Sequence, residues 1–115
     1  MKILGIDYGR SKIGLATTEG SLAEPWKVVK TSELKKVLEN ESFDKIIVGV
    51  SSGAMAEKQK GFAKSLGAET FDETLTTKEA QRLSLEAGLP RKKRRGMEDA
   101  FAATLMLQSY LDNHV

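Results

Sequence analysis

Short apolar runs and amphipathic stretches alternate along the chain. Residues 2–6, Lys2-Ile3-Leu4-Gly5-Ile6, form an apolar run closed by Asp7-Tyr8-Gly9-Arg10-Ser11, and residues 12–17 form a second. Both are short, rich in branched residues and bounded by turn formers, so they predict two buried strands joined as a hairpin. Residues 25–30 predict a third strand. Thr31 or Ser32 is placed to cap a helix reaching about Asn40. Residues 43–50, Phe43-Asp44-Lys45-Ile46-Ile47-Val48-Gly49-Val50, carry the strongest strand signal, and Ser51-Ser52-Gly53 breaks it. From Ala56 to Leu66 the period becomes helical, with Phe62, Ala63 and Leu66 as the apolar stripe and Gly67 as its stop. Residues 68–71 predict a short strand ending at Asp72-Glu73. Thr76 or Thr77 begins a helix through about Ala87, stopped by Gly88 and Pro90. A basic loop follows, and a last helix runs from about Met97 to Asp112.

Three adjacent strands with short links predict an antiparallel meander, and strands separated by helices predict parallel pairing. The expected fold is α/β: one domain over residues 1–115, with a mixed five-stranded sheet of three antiparallel and then parallel strands, flanked by helices. In such sheets, sites gather beyond the carboxyl ends of the parallel strands. Asp7, Ser51 to Gly53 and Asp72-Glu73 all fall at such ends.

Composition narrows the chemistry. The 115 residues contain no cysteine and one histidine, His114, which excludes disulfides, thiolate sites and a cysteine nucleophile, and leaves no basis for a histidine triad. No apolar run approaches the roughly 20 residues that span a bilayer, and the first residues lack a signal peptide's apolar region. The expectation is a cytoplasmic protein with no membrane partner. The net charge of +2 hides an asymmetry: Arg91, Lys92, Lys93, Arg94 and Arg95 carry five positive charges, while the other 13 basic residues face 16 acidic ones, a balance of −3. A basic run is usually a solvated segment, and it is also a natural contact for phosphates.

A carboxylate at the end of a buried strand costs free energy unless something pairs with it. Asp7 therefore either caps the turn of the hairpin or meets a cation. The last helix adds Glu98 and Asp99. Asp99 shares a face with Ala102, Ala103 and Met106; Glu98 shares one with Phe101, Ala102 and Leu105. Both are expected in the helix's first turn, where the dipole favours negative charge, and periodicity does not choose between them.

These stretches together resemble the YqgF/RuvX family, the Holliday-junction-resolvase-like branch of the ribonuclease H fold. The opening Ile3-Leu4-Gly5-Ile6-Asp7-Tyr8-Gly9 with Ile13-Gly14-Leu15-Ala16, the strand Lys45-Ile46-Ile47-Val48-Gly49, the segment Asp72-Glu73-Thr74-Leu75-Thr76-Thr77, and the C-terminal third from Glu86 through Leu111 match in order. The resemblance implies a metal-dependent nuclease active in 5′-end maturation of pre-16S rRNA, with nucleic acid as substrate and ribosomal precursors as possible partners. Precursor rRNA is favoured over branched DNA. By position it implies Asp7, Glu73 and Asp99 as catalytic metal ligands and residues 91–95 as the nucleic-acid contact. Thr74 stands where the family usually has arginine, and Ser51-Ser52-Gly53 replaces a Pro-Leu-Asn-like loop in a connection that looks shortened.

The residues suit that chemistry. Two hard divalent ions about 4 Å apart activate a water and stabilise the departing oxyanion, and Mg²⁺ or Mn²⁺ prefers carboxylate oxygens. If the fifth strand lies two places from the first, its acid must reach across roughly 10 Å. That favours the longer Glu73 over Asp72. Two other readings use the same residues: one lobe of an actin-like phosphotransferase, from the Asp7-Tyr8-Gly9 turn, and a non-catalytic RNA- or ribosome-binding module.

Overall fold

The computed structural model describes residues 1–9, 11–50, 53–72 and 91–113, with the backbone alone described for 91–96 and 113. Its sheet has five strands: β1 (Ile3–Tyr8), β2 (Lys12–Thr18), β3 (Glu24–Lys30), β4 (Lys45–Val50) and β5 (Glu69–Asp72), in the order β3-β2-β1-β4-β5. β1–β2 and β2–β3 are antiparallel, and β1–β4 and β4–β5 are parallel. This is the expected mixed sheet, with β5 two places from β1.

Among the described residues three helices cover it: α1 (Leu34–Asn40), α2 (Ala56–Leu66) and α3 (Arg91–Asn113). β1 alternates between two buried layers because successive strand side chains point to opposite faces. Leu4 and Ile6, with Ile13, Leu15 and Val48, pack under Leu34 of α1 and Ala63 of α2. Ile3, with Ala16 and Ile47, packs under Ala103, Met106, Leu107 and Tyr110 of α3. The sheet is thus sandwiched, which explains why its central strands read as nearly unbroken apolar runs. α2 ends at Gly67, whose φ of +67° is the left-handed conformation that glycine adopts without strain.

Three expectations are corrected. The entry to α1 is a 3-10 turn, Thr31–Glu33, where the Glu33 carboxylate accepts from the Lys30 N–H at 3.0 Å and neither Thr31 nor Ser32 serves as the cap; the Thr31 hydroxyl is buried and, among the described residues, without a partner. Residues 91–95 are not a loop, since α3 begins at Arg91. Lysine and arginine are good helix formers, and Pro90 just before the first turn is compatible with a helix start. Consequently Glu98 and Asp99 are not in the first turn of α3, which carries no acid. Dipole stabilisation falls off within that turn, so it does not account for either acid. The helix expected between Thr76 and Ala87 lies outside the described residues. Among the described residues, no helix is long and apolar enough to cross a membrane.

Candidate active site

Strand alternation decides where Asp7 goes. Ile3 packs against α3. Two residues on, Gly5 lies against Leu107, so that a Cβ there would come within 2.9 Å of the Leu107 Cβ. Asp7 is the next residue on that face. It pairs with Gly14 of β2, whereas the parallel pairing with β4 stops one residue earlier, at Ile6 and Val48. Asp7 therefore sits where β1 outruns its parallel neighbour, on the α3 side of the sheet.

The same packing settles which helix acid meets it. Ala103, Met106 and Leu107 face the sheet, and Asp99 lies four and seven positions before the first two, on their face. Glu98 precedes Phe101, Ala102 and Leu105, which pack in a separate cluster with Met97. Gly14 allows the close approach: a Cβ on it would collide with the Asp99 carbonyl. The α3 backbone rests directly on the cross-strand partner of Asp7, which brings the Asp7 and Asp99 carboxylates together.

Electrostatics reflect that arrangement. Burial pushes the Asp7 carboxyl up to about 6, and the Asp99 charge adds to the rise. Burial also raises Asp99; Lys12 opposes that shift and Glu98 reinforces it. Among the described residues, no hydrogen bond or ion pair reaches the Asp7 carboxylate. In the hairpin turn the Gly9 N–H donates to the Lys12 carbonyl at 3.0 Å. Two half-buried acids set together, with no donor to either among the described residues, carry a free-energy cost. Their oxygens are the donor type that a hard divalent cation takes, so this pair fits such an ion.

β5 separates its two acids. Glu69 and Phe71 lie on the α3 side, Phe71 edge-on to Tyr110 with ring centroids 5.7 Å apart. Asp72 alternates to the opposite side and is exposed. It is not on the face of Asp7. Glu73, Thr74, Ser51 and Ser52 lie outside the described residues, as do the side chains of residues 91–95. Among the described residues, no group of three or more acids or histidines converges; the structure brings together Asp7 and Asp99.

Two polar residues near these acids escape a reading by motif. Lys12 lies on β2 two residues before Gly14, so it shares the acids' side of the sheet and is exposed. Hairpin register would have placed it. Gln59 of α2 is buried and donates from Nε2 to the Tyr8 carbonyl at 3.2 Å, holding the end of β1 from the other side. A lone glutamine on a helix gives no sequence signal of that kind.

A family model described as "RuvX: Holliday junction resolvase" matches residues 1–113. The chain belongs to the RuvX family. Relatives named "Putative pre-16S rRNA nuclease" agree. That of Syntrophus aciditrophicus is 36% identical, the match covering 97% of this chain and 89% of the relative. That of Halothermothrix orenii is 38% identical, covering 97% and 95%. Each alignment spans 133 positions, which exceeds the 115 residues of this chain, so at least 18 of those positions have no counterpart here. Among solved structures, Thermus thermophilus RuvC in complex with a Holliday junction substrate superposes with a TM-score of 0.54 at 20% identity, covering 99% of this chain and 96% of RuvC. Archaeoglobus fulgidus Pelota gives 0.51 at 16% identity over 97% of this chain and 37% of its own. At those identities the likeness shows a shared fold, the ribonuclease H-like sheet.

Proposed function

We propose that this protein is a divalent-cation-dependent nuclease that hydrolyses phosphodiester bonds of nucleic acid, with the 5′ region of precursor 16S rRNA as substrate. The observation that carries the reading is the pairing of Asp7 and Asp99, half-buried and with no donor to Asp7 among the described residues, beyond the last parallel β1–β4 pair. Family membership and the names of the relatives supply the substrate class.

Asp7 and Asp99 are the residues that would hold Mg²⁺ or Mn²⁺, with Glu73 as the third ligand. Glu73 comes from the family resemblance and follows Asp72 in the sequence, and a glutamate reaches further than an aspartate across the gap between β5 and β1. When bound, such cations activate a water and offset charge on the departing oxygen. The chain's own contribution is positional. β1 and α3 hold two carboxylates in a fixed relation through the Gly14 contact, which removes reorganisation from the reaction. Burial keeps the site's dielectric low, so charge interactions there are stronger than in water. Above pH of about 6 the Asp7 carboxylate is ionised and ready to bind a cation.

Residues 91–95 begin the helix that carries Asp99. In the sequence Lys92 and Arg95 lie seven and four positions before Asp99. This run is the proposed docking surface for the RNA backbone, with precursor ribosomal particles in the cytoplasm as the setting. Thr74, in place of the family's arginine, bears on substrate contact more than on metal binding. The test is cleavage of precursor 16S rRNA, single strands and four-way junction DNA by purified protein with Mg²⁺ or Mn²⁺. Metal-dependent cleavage of the rRNA precursor supports the reading; cleavage of junctions alone would reassign the substrate, and no cleavage by any arm would refute it.

A further inference from the structure

β2 and β3 carry a second feature on the active-site side of the sheet. Lys12 and Lys30 are direct cross-strand partners, at the end of the β2–β3 ladder nearest the β1–β2 turn. Lys12 precedes Gly14 by two residues and so shares its face, the one on which α3 rests; Lys30, paired with Lys12, shares it too. Val28, the residue of the same parity on β3, pairs with Gly14. Both lysines are exposed. Among the described residues, neither ammonium makes an ion pair. Directly opposed like charges destabilise an antiparallel pair, with side chains about 5 Å apart at Cβ. The nearby acids are otherwise placed: the Glu33 carboxylate accepts from the Lys30 backbone N–H at 3.0 Å, and Asp99 lies in the field of Lys12, so the two ammonium groups together offer a site for an anion.

We propose that Lys12 and Lys30 form a phosphate-binding pair that grips the nucleic-acid strand beside the Asp7–Asp99 site. The proposal rests on the nuclease reading and names a contact within it. Its position is distinct from the basic run at the start of α3, because it stands on the sheet rather than on the helix. The partner chemistry follows from the geometry. Two ammonium groups on adjacent strands match a phosphodiester oxygen or two successive phosphates of a backbone, and lysine binds phosphate as a point charge without reading sequence. The effect of Lys12 on Asp99 supports the same placement, since it means the ammonium and the acid share one field. A strand held there lies against the acids rather than across the sheet's far face, which α1 and α2 cover.

The test uses the full chain and a fluorescent single-stranded RNA of fixed sequence, with EDTA present so that no cleavage occurs. Affinity is measured across a salt series for wild type, Lys12→Gln, Lys30→Gln, the double variant, the double arginine variant, and a control double variant, Lys35→Gln with Lys64→Gln. The control lysines are exposed on α1 and α2, on the opposite side of the sheet. Each lost contact should flatten the log–log salt slope by about 0.7 and weaken binding about fivefold at 0.1 M salt. The double glutamine variant should lose about twice the slope, the arginine variant should bind like wild type, and the control should change little. Because like-charge repulsion is relieved, the double glutamine variant should melt no lower than wild type. Wild-type slope and affinity in the double glutamine variant would overturn the proposal. So would equal losses in the control, which would show diffuse charge, or no RNA binding by the wild type. Cleavage is scored separately: a wild type that binds through these lysines and cleaves nothing refutes the nuclease reading and leaves the phosphate pair standing.

Discussion

Replacing Asp7 with asparagine should stabilise the metal-free protein, and by an amount that depends on pH. The native carboxyl titrates near 6, raised from 3.8 first by burial and then by Asp99. A group whose folded pKa is raised binds its proton more tightly in the native state. Its neutral form is therefore tolerated below pH 4, and native stability is lost as pH climbs from 4 through 6. A shift of about two units corresponds to roughly 3 kcal/mol at neutral pH, by 1.36 kcal/mol per unit. Asparagine keeps the shape and removes the charge, so it should recover most of that penalty at pH 8 and none at pH 4. For a domain of this size 1 kcal/mol moves the melting temperature by about 4 °C. The expected gain is therefore about 10 °C at pH 8, in EDTA. The groups facing Asp7 are Asp99, with Glu98 and Lys12 acting on Asp99. The assay is thermal melting of both proteins from pH 4 to 8 without divalent ions. A lower melting temperature for Asp7→Asn at pH 8, or a gain independent of pH, would refute the reasoning, because it would mean that the carboxylate is held by structural donors.

Mg²⁺ or Mn²⁺ should raise the wild-type melting temperature, by about 2.7 kcal/mol of stabilisation at one hundred times the dissociation constant; Asp7→Asn should lose that response, as measured by melting across a metal titration. Gly14→Ala should destabilise by about 3 kcal/mol or more, since its Cβ would drive α3 off β2 at Asp99; urea unfolding measures this, and a change under 1 kcal/mol would show that the contact yields. Changing Lys92, Lys93 and Arg94 together to alanine should weaken RNA binding and flatten its salt slope by about 0.7 per contact, with turnover of bound substrate less affected; matching slopes would exclude docking by the basic run.

The fold was legible because its physics is local. Residues 2–6, 12–17 and 43–50 are apolar in runs too short for helices, and the helices between later strands force parallel pairing. The Ala56–Leu66 helix matches its periodic stripe and its stop at Gly67. The errors fell where propensity is weak or indifferent. A run of arginine and lysine reads as a solvated segment, yet those residues continue a helix as readily as they form a loop, so α3 extends back to Arg91. Thr31 had the chemistry of a cap, but in the 3-10 turn its hydroxyl accepts from no amide N–H among the described residues.

The site was legible only in part. Asp7 stands out as an acid closing an apolar run. The choice of Asp99 over Glu98 needs tertiary packing, because both sit beside apolar residues on α3 and only the Ala103–Met106 face meets the sheet. Likewise Asp72 is excluded by strand parity once β5 is paired with β4. Lys12 and Lys30 are 18 positions apart in sequence and meet only through hairpin register.

The central claim is that Asp7 and Asp99 hold the ions for phosphodiester hydrolysis. The most direct measurement is cleavage of a precursor 16S rRNA fragment by wild type, Asp7→Asn and Asp99→Asn, each purified identically, with Mn²⁺, with Mg²⁺ and with EDTA. The account predicts metal-dependent cleavage by wild type, none in EDTA, and a loss of at least about 100-fold in both variants, the scale seen when a group that positions transition-state charge is removed. Wild-type rates in a folded Asp7→Asn protein would contradict it.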